Sequence, residues 1–411
     1  MLLTLALGPV AYGFDSEPID HWPTVEESGP LRVQVEFWMR IYGELDSDQG
    51  LLHDAKYPSV VYEQVNLRRK VRRRVTAAAE TKWRSRLLAL HQKWSRPGGV
   101  KEGDLSEDEK FLVKLFRDVP EQDKFLDAAH RRRIRFQLGQ KNEFLSGYKI
   151  SGRYLPEMEA VFRKEGLPIQ LTRLPFVESS FNVKARSKVG ASGIWQFMRS
   201  TGGLYLRIDE AVDERNDPIR AAEAAARLLR TNFEALGSWP LAVTAYNHGR
   251  KGMMRAVRKV GSLVLDDLIS SYQRRSFGFA SSNFFTCLLA AIEVEKRATQ
   301  YFGEVRRQEP IPSFEFRLPR FTDLPEVISF FHVDGTKARN LNPGLAEAVW
   351  GGRLLAPMGY RLRLPRSGEN TEESDLRVFS ASYEKFPPLY QMDEQKKERR
   401  RVKKYGMRRR S

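Results

Sequence analysis

Among 411 residues there is one cysteine, Cys287, and only six histidines, His21, His53, His91, His130, His248 and His332. A single thiol excludes an intrachain disulfide and any thiolate-rich metal site. The histidines never recur at i, i+4, so no helix face presents two imidazoles to a metal, and no metal or other cofactor is expected. Long apolar runs are also missing. Beyond the N-terminus no stretch approaches the ~20 apolar residues that cross a bilayer. Acidic residues are in short supply, 52 against 69 Lys and Arg, leaving a net charge of +17.

What is present supports globular cores, since 41% of the residues are apolar and a chain of this length accommodates two or three domains at ~150 residues each. The positive charge is uneven. The tail "EQKKERRRVKKYGMRRRS", residues 394 to 411, carries ten Lys or Arg against two Glu. Together with the polar residues from 367 onward it is expected to be disordered. Such a tail attracts polyanions without reading them: nucleic acid, anionic lipid or an acidic wall polymer. At the other end, Leu2 to Val10 form an apolar run followed by Ala11 and Gly13. Residues 1–13 therefore resemble a signal-peptide core without its basic n-region, and an exported protein is expected.

Prolines 18, 23 and 30 mark a lead-in linker, and order is expected from Leu31. Val35, Trp38, Ile41 and Tyr42 fall at helical spacing, and "LLHDAKYPSVVYEQV" reads as a hairpin around Lys56 to Ser59. A long basic helix is expected from about Glu63 to Trp94, then helical segments from 106 to 165 ending at Gly166 and Pro168. In "NDPIRAAEAAARLLRTNFEALG", Asp217 is placed to cap a helix, Pro218 to open it and Gly237 to end it. Ala222, Ala225, Ala226, Leu229, Phe233 and Leu236 form one apolar stripe along it. Residues 311–366 read as strand, two short helices and strand. The whole is mainly α, with a small α+β module near the C-terminus.

The chemistry concentrates in "LPFVESSFNVKARSKVGASGIWQFM", residues 174 to 198. Glu178 follows Leu174, Pro175, Phe176 and Val177, and a carboxyl group pressed against apolar surroundings has its neutral form favoured. That makes it a usable general acid, although a helix-surface Glu with its apolar neighbours turned away fits the same letters. Gly190, Ala191, Ser192 and Gly193 allow backbone to approach a ligand, and Trp195, Gln196, Phe197 and Met198 add apolar surface beside an amide. Sugar clefts have this character. Glycosidases usually use two carboxylates, yet after Glu178 the next acidic residues are Asp209 and Glu210. Those, with Asp213, Glu214 and Asp217, suit surface and capping roles. A lone acid suits a reaction in which the substrate supplies its own nucleophile.

"FVESSFN", "SKVGASGIWQFM" and "AYNHG", in that order, resemble the motifs of the lysozyme-like catalytic domain of family 1 lytic transglycosylases, the membrane-bound lytic transglycosylase D type above all. "SGRYLPEMEAVFRKEGLP" before them and "FGFASSNFFTCLLAAIEVEK" after them extend the resemblance over about residues 150–300. Residues 311–366 more faintly resemble a LysM-like glycan-binding module, and 31–150 are left as a helical region with a short β hairpin. The resemblance implies that Glu178 protonates the β-1,4 glycosidic oxygen between MurNAc and GlcNAc. It then accepts the proton of the MurNAc C6 hydroxyl as a 1,6-anhydro ring closes, with no water consumed. It also implies that Ser187, Gln196 and Met198 line sugar subsites, and that Tyr246 orients the acid with Asn247 beside it. The lipid anchor that the resemblance implies at an N-terminal cysteine has no matching residue in this sequence.

Three alternatives stand beside this expectation. A muramidase on the same fold needs one of Asp209, Glu210, Asp213 or Glu214 to hold a water. A wall-binding protein needs no working acid at all. A nucleic-acid binder would use the charge, but no recognition motif accompanies it, so no nucleic-acid partner is expected. The expected partners are peptidoglycan strands and, through the basic tail, an anionic envelope surface; the expected location is the periplasm or cell envelope.

Overall fold

The structure, a computed structural model, describes residues 19, 21–67, 72–96, 100–272 and 274–366. The apolar N-terminal run and the basic tail lie outside the described residues. Those described are mainly helical and divide into two compact units. Among the described residues, the first takes those up to 151, 157–181 and 225–307, and the second 152–156, 182–224 and 308–366.

In the first unit, strands β1 (Gln49–Asp54), β2 (Val61–Asn66) and β3 (Ile134–Leu138) form an antiparallel sheet in the order β2-β1-β3. The expected hairpin is present, but it gains a third strand from within a segment expected to be helical. The basic letters around "RRRIRFQL" disguise β3, which pairs Gly50 with Leu138 and Asp54 with Ile134. With both edges paired, β1 is buried from Gly50 to Asp54. Strand pairing also takes Glu63–Asn66 away from the basic helix, which runs from Arg72 to Trp94. Tertiary pairing of a β-branched and aromatic run here outweighs helix propensity. That helix lays Ala79, Trp83, Leu87 and Leu90 into a core shared with Leu52, Tyr62, Phe116 and Phe125.

The centre of the first unit is the helix Phe279–Lys296, buried over nearly its whole length because "FFTCLLAAI" leaves no polar face. Helices Arg32–Gly43, Trp239–His248 and Leu174–Ser179 pack on it. Trp38 Nε1 donates to Asn283 Oδ1 at 3.0 Å across the first of these contacts. Gly43 ends that helix against Tyr301, where a Cβ would lie 2.5 Å from the ring. The N-terminal helix is thus an integral wall of this unit.

The helix Pro218–Leu236 has the expected caps. Asp217 Oδ1 accepts from the backbone of Ile219 and Arg220 at 2.9 and 3.1 Å, and Gly237 turns left-handed at φ 69°. Every residue of its predicted stripe is buried.

In the second unit, β4 (Ser313–Arg317) and β5 (Arg361–Pro365) pair antiparallel. Three short helices lie between them, Leu324–Phe330, Gly335–Leu341 and Glu347–Trp350, where two were expected. Their core, with Leu324, Val327, Val349, Tyr360 and Leu362, also takes in Val212. Asp213 N donates to Gly344 O at 2.7 Å, and Ala346 N to Ala211 O at 3.0 Å. Buried Arg363 meets the Asp217 carboxylate at 3.0 Å, while Arg220 pairs with both Glu223 and Glu315.

Candidate active site

Glu178 sits in a helix of six residues, Leu174–Ser179, with Pro175 in its first turn. The preceding turn is anchored by Arg173, whose guanidinium reaches Glu159 at 2.5 Å and Glu295 at 2.7 Å. The helix stops because Ser180 and Phe181 both adopt positive φ, 49° and 54°. Two consecutive non-glycine residues there are strained. Packing holds them: Phe181 is fully buried edge-on to Phe176 at 4.7 Å, its N–H returns to Pro175 O at 3.0 Å, and Gly147 lets the Ser180 carbonyl close in. Phe176 in turn stacks on Phe144 at 4.5 Å, and Phe144 on Tyr42 at 5.4 Å. Apolar packing therefore fixes the acid on a short rigid pedestal.

The Glu178 side chain is half-buried, and protein atoms crowd its carboxyl enough for desolvation to push its pKa up to about 8. Among the described residues no cation or donor offsets that desolvation. Three other ionisable groups feel its charge. Tyr246, half-buried on helix Trp239–His248, is raised well above the usual phenol value by burial and then by Glu178. Tyr42, from helix Arg32–Gly43, and Cys287, from the central helix, are both buried and each perturbs the other's ionisation. Burial is the main cause that raises both, and Glu178 adds to it. Asn247 is exposed and accepts from Ser281 Oγ at 2.9 Å.

The first unit holds Glu178, Tyr246 and Asn247, together with Tyr42 and Cys287. Neither of these two stood out in the sequence. Tyr42 reads as one more apolar position on an amphipathic helix 136 residues upstream of the acid. Cys287 reads as core.

Ser187, Gln196 and Met198 lie in the second unit, on a loop whose path is set by its glycines and by Arg215. At Gly193 φ is 75°, and a Cβ would fall 1.8 Å from the Arg215 carbonyl oxygen, so only glycine fits. Buried Arg215 grips Asp213 through two oxygens, at 2.9 and 2.7 Å, and donates to Gly190 O and Phe197 O from beneath the loop. Gln196 has positive φ, 49°, and its Nε2 donates to Gly193 O at 2.8 Å. Ser187 Oγ accepts from Ala191 N at 2.9 Å, leaving its proton free to donate. Met198 is 40% exposed. Ser187 and Met198 line a cavity of about 570 Å³, and Gln196 is not among its walls.

Of the four acidic residues that a hydrolase could use, Asp209, Asp213 and Glu214 are otherwise engaged. Asp209 pairs with Arg207 and caps the backbone of Ala211 and Val212 at 2.9 Å. Asp213 is held by Arg215, Asp217 by Arg363, and Glu214 accepts from Arg207 N at 2.7 Å. Glu210 is exposed.

Residues 159–269, which contain all six candidate site residues, match the family model described as the Transglycosylase SLT domain. Over 98 residues the chain is 39% identical to the membrane-bound lytic murein transglycosylase D of Escherichia coli K12, a match covering 23% of this chain and 22% of that protein. The protein of the same name from Escherichia coli O6:H1 gives the same figures. This chain thus spans about a fifth of the length of these curated relatives. Among solved structures it matches the lytic transglycosylase Slt of Pseudomonas aeruginosa, with 14% identity and a TM-score of 0.27, over 56% of this chain and 33% of the other. No helix among the described residues is long and apolar enough to cross a membrane.

Proposed function

We propose that this protein is a peptidoglycan lytic transglycosylase of the cell envelope, with Glu178 as its single acid and base. The observation that carries the proposal is a carboxyl group raised to about 8 by burial, inside an SLT domain. At neutral pH Glu178 is protonated and donates to the glycosidic oxygen between MurNAc and GlcNAc. The bond breaks with positive charge developing at the sugar C1. The resulting carboxylate takes the proton of the C6 hydroxyl, whose oxygen bonds to C1 and closes the 1,6-anhydro ring. The carboxyl group ends protonated, ready for the next bond, and no water enters. Tyr246 orients the carboxyl, and Ser187, Gln196, Met198 and Asn247 bind the sugars.

Hydrolysis is the weaker alternative, because Asp209 and Asp213 are tied to arginines and Glu214 accepts a backbone N–H, which leaves it only the exposed Glu210. The strand–helices–strand order of residues 313–365 supports a LysM-like glycan-binding role for the C-terminal module. Mass spectrometry of the products released from purified peptidoglycan tests the proposal. Products lighter by one water than hydrolytic ones, and absent with Glu178→Gln, are expected. Hydrated reducing ends would replace the proposal with a muramidase, and no products from the wild type would leave a wall-binding protein.

A further inference from the structure

The cavity beside Ser187 and Met198 is more basic than a neutral sugar requires. Arg186 and Arg199 line it, and Lys184 and Lys188 flank it on the same exposed loop. None of the four side chains has a carboxylate partner among the described residues. Their neighbours Arg207 and Arg215 are paired, with Asp209 and Asp213, so the loop places its surplus cations around the opening. The walls also carry the Ser187 and Ser200 hydroxyls and the apolar side chains of Met198 and Val189, the latter 75% exposed. A volume of about 570 Å³ is in the range that holds a small ligand. Uncompensated cations around a concave site raise the local concentration of anions and select for them.

We propose that this cavity binds a carboxylate-bearing stem peptide of the glycan strand, with Arg186 and Arg199 receiving the carboxylate and Val189 covering the peptide's aliphatic part, beside the sugar that Ser187 and Met198 hold. The proposal rests on the peptidoglycan function above and adds the substrate feature that the loop selects. Neutral sugar rings would gain little from four cations, whereas an acidic peptide needs them.

The experiment is calorimetric titration of the full chain with a soluble GlcNAc–MurNAc disaccharide carrying a stem peptide, in two forms: free carboxylates, and carboxyl groups amidated. The free acid should bind about tenfold more tightly than the amide. The double variant Arg186→Ala/Arg199→Ala should lose that preference while keeping its melting temperature, and Arg186→Lys/Arg199→Lys should keep most of it. Equal binding of the two forms by the wild type, undetectable binding of the acid form, or an unchanged preference in the alanine variant would overturn the proposal. So would equal competition by a glycerol phosphate polymer, which would make the site a general polyanion trap. Cleavage assays on the same protein separate the two proposals. Preference without cleavage would remove the transglycosylase function and leave the carboxylate site, and cleavage without preference would do the reverse.

Discussion

At Glu178 burial penalises the ionised form, and this sets both the pH profile and a stability effect. Its folded pKa of about 8 exceeds the ordinary 4.5. Between those values the folded protein holds a proton that the unfolded chain has released, so stability falls as pH rises through that window. Below 4.5 both states are protonated and nothing is lost. Glu178→Gln, neutral at every pH, should therefore be more stable than the wild type at pH 8, by roughly 1–3 kcal/mol. It should be no more stable at pH 4. Thermal melts at the two pH values check this, and equal melting at pH 8 would show that the carboxyl is better solvated than its surroundings suggest. Cleavage should decline above an apparent pKa of about 8 as the acid loses its proton. Tyr246→Phe should lower kcat by about 10²-fold with little change in KM, as expected of a group that orients the acid. A rise in KM alone would move Tyr246 into substrate binding.

At the scale of elements, the second unit's loop depends on backbone approaches that admit no side chain. Gly193→Ala would drive a Cβ into the Arg215 carbonyl at a left-handed position, so about 3 kcal/mol or more of destabilisation is expected in denaturant titration. A cost under 1 kcal/mol would mean that the loop adapts freely. Much of this level was legible in the sequence. Asp217, Pro218 and Gly237 bound the alanine-rich helix because capping is local chemistry, and Glu178 stood out because its four predecessors are apolar. Less visible were β3, an edge strand in a basic run, and the contribution of Tyr42, which reaches the acid's surroundings only because helix Arg32–Gly43 packs on helix Phe279–Lys296. Periodicity shows which face of a helix is buried. It does not show against what.

Over the whole molecule, sequence segments and compact units do not coincide. Residues 311–366 look like a module that could be removed, yet Val212 belongs to their core and Arg363 is buried against Asp217, the cap of helix Pro218–Leu236. Residues 182–224 and 308–366 therefore share one hydrophobic core and one set of charge pairs. Truncation after residue 307 would expose Val212, strip Asp217 of its arginine, and leave Arg220 and Glu223 without Glu315 and Arg361. Breaking a buried pair by removing one partner costs about 3–5 kcal/mol, a large share of a domain's typical ~5–15. The truncated chain should thus lose cleavage of short soluble glycans by more than about 100-fold and become protease-sensitive within 182–224. Removing only residues 367–411 touches none of these contacts and should spare that activity. If the chain cut after 307 cleaves soluble glycan normally and loses only its hold on intact wall, the C-terminal segment is a detachable binding module and the shared core is not needed to support the loop.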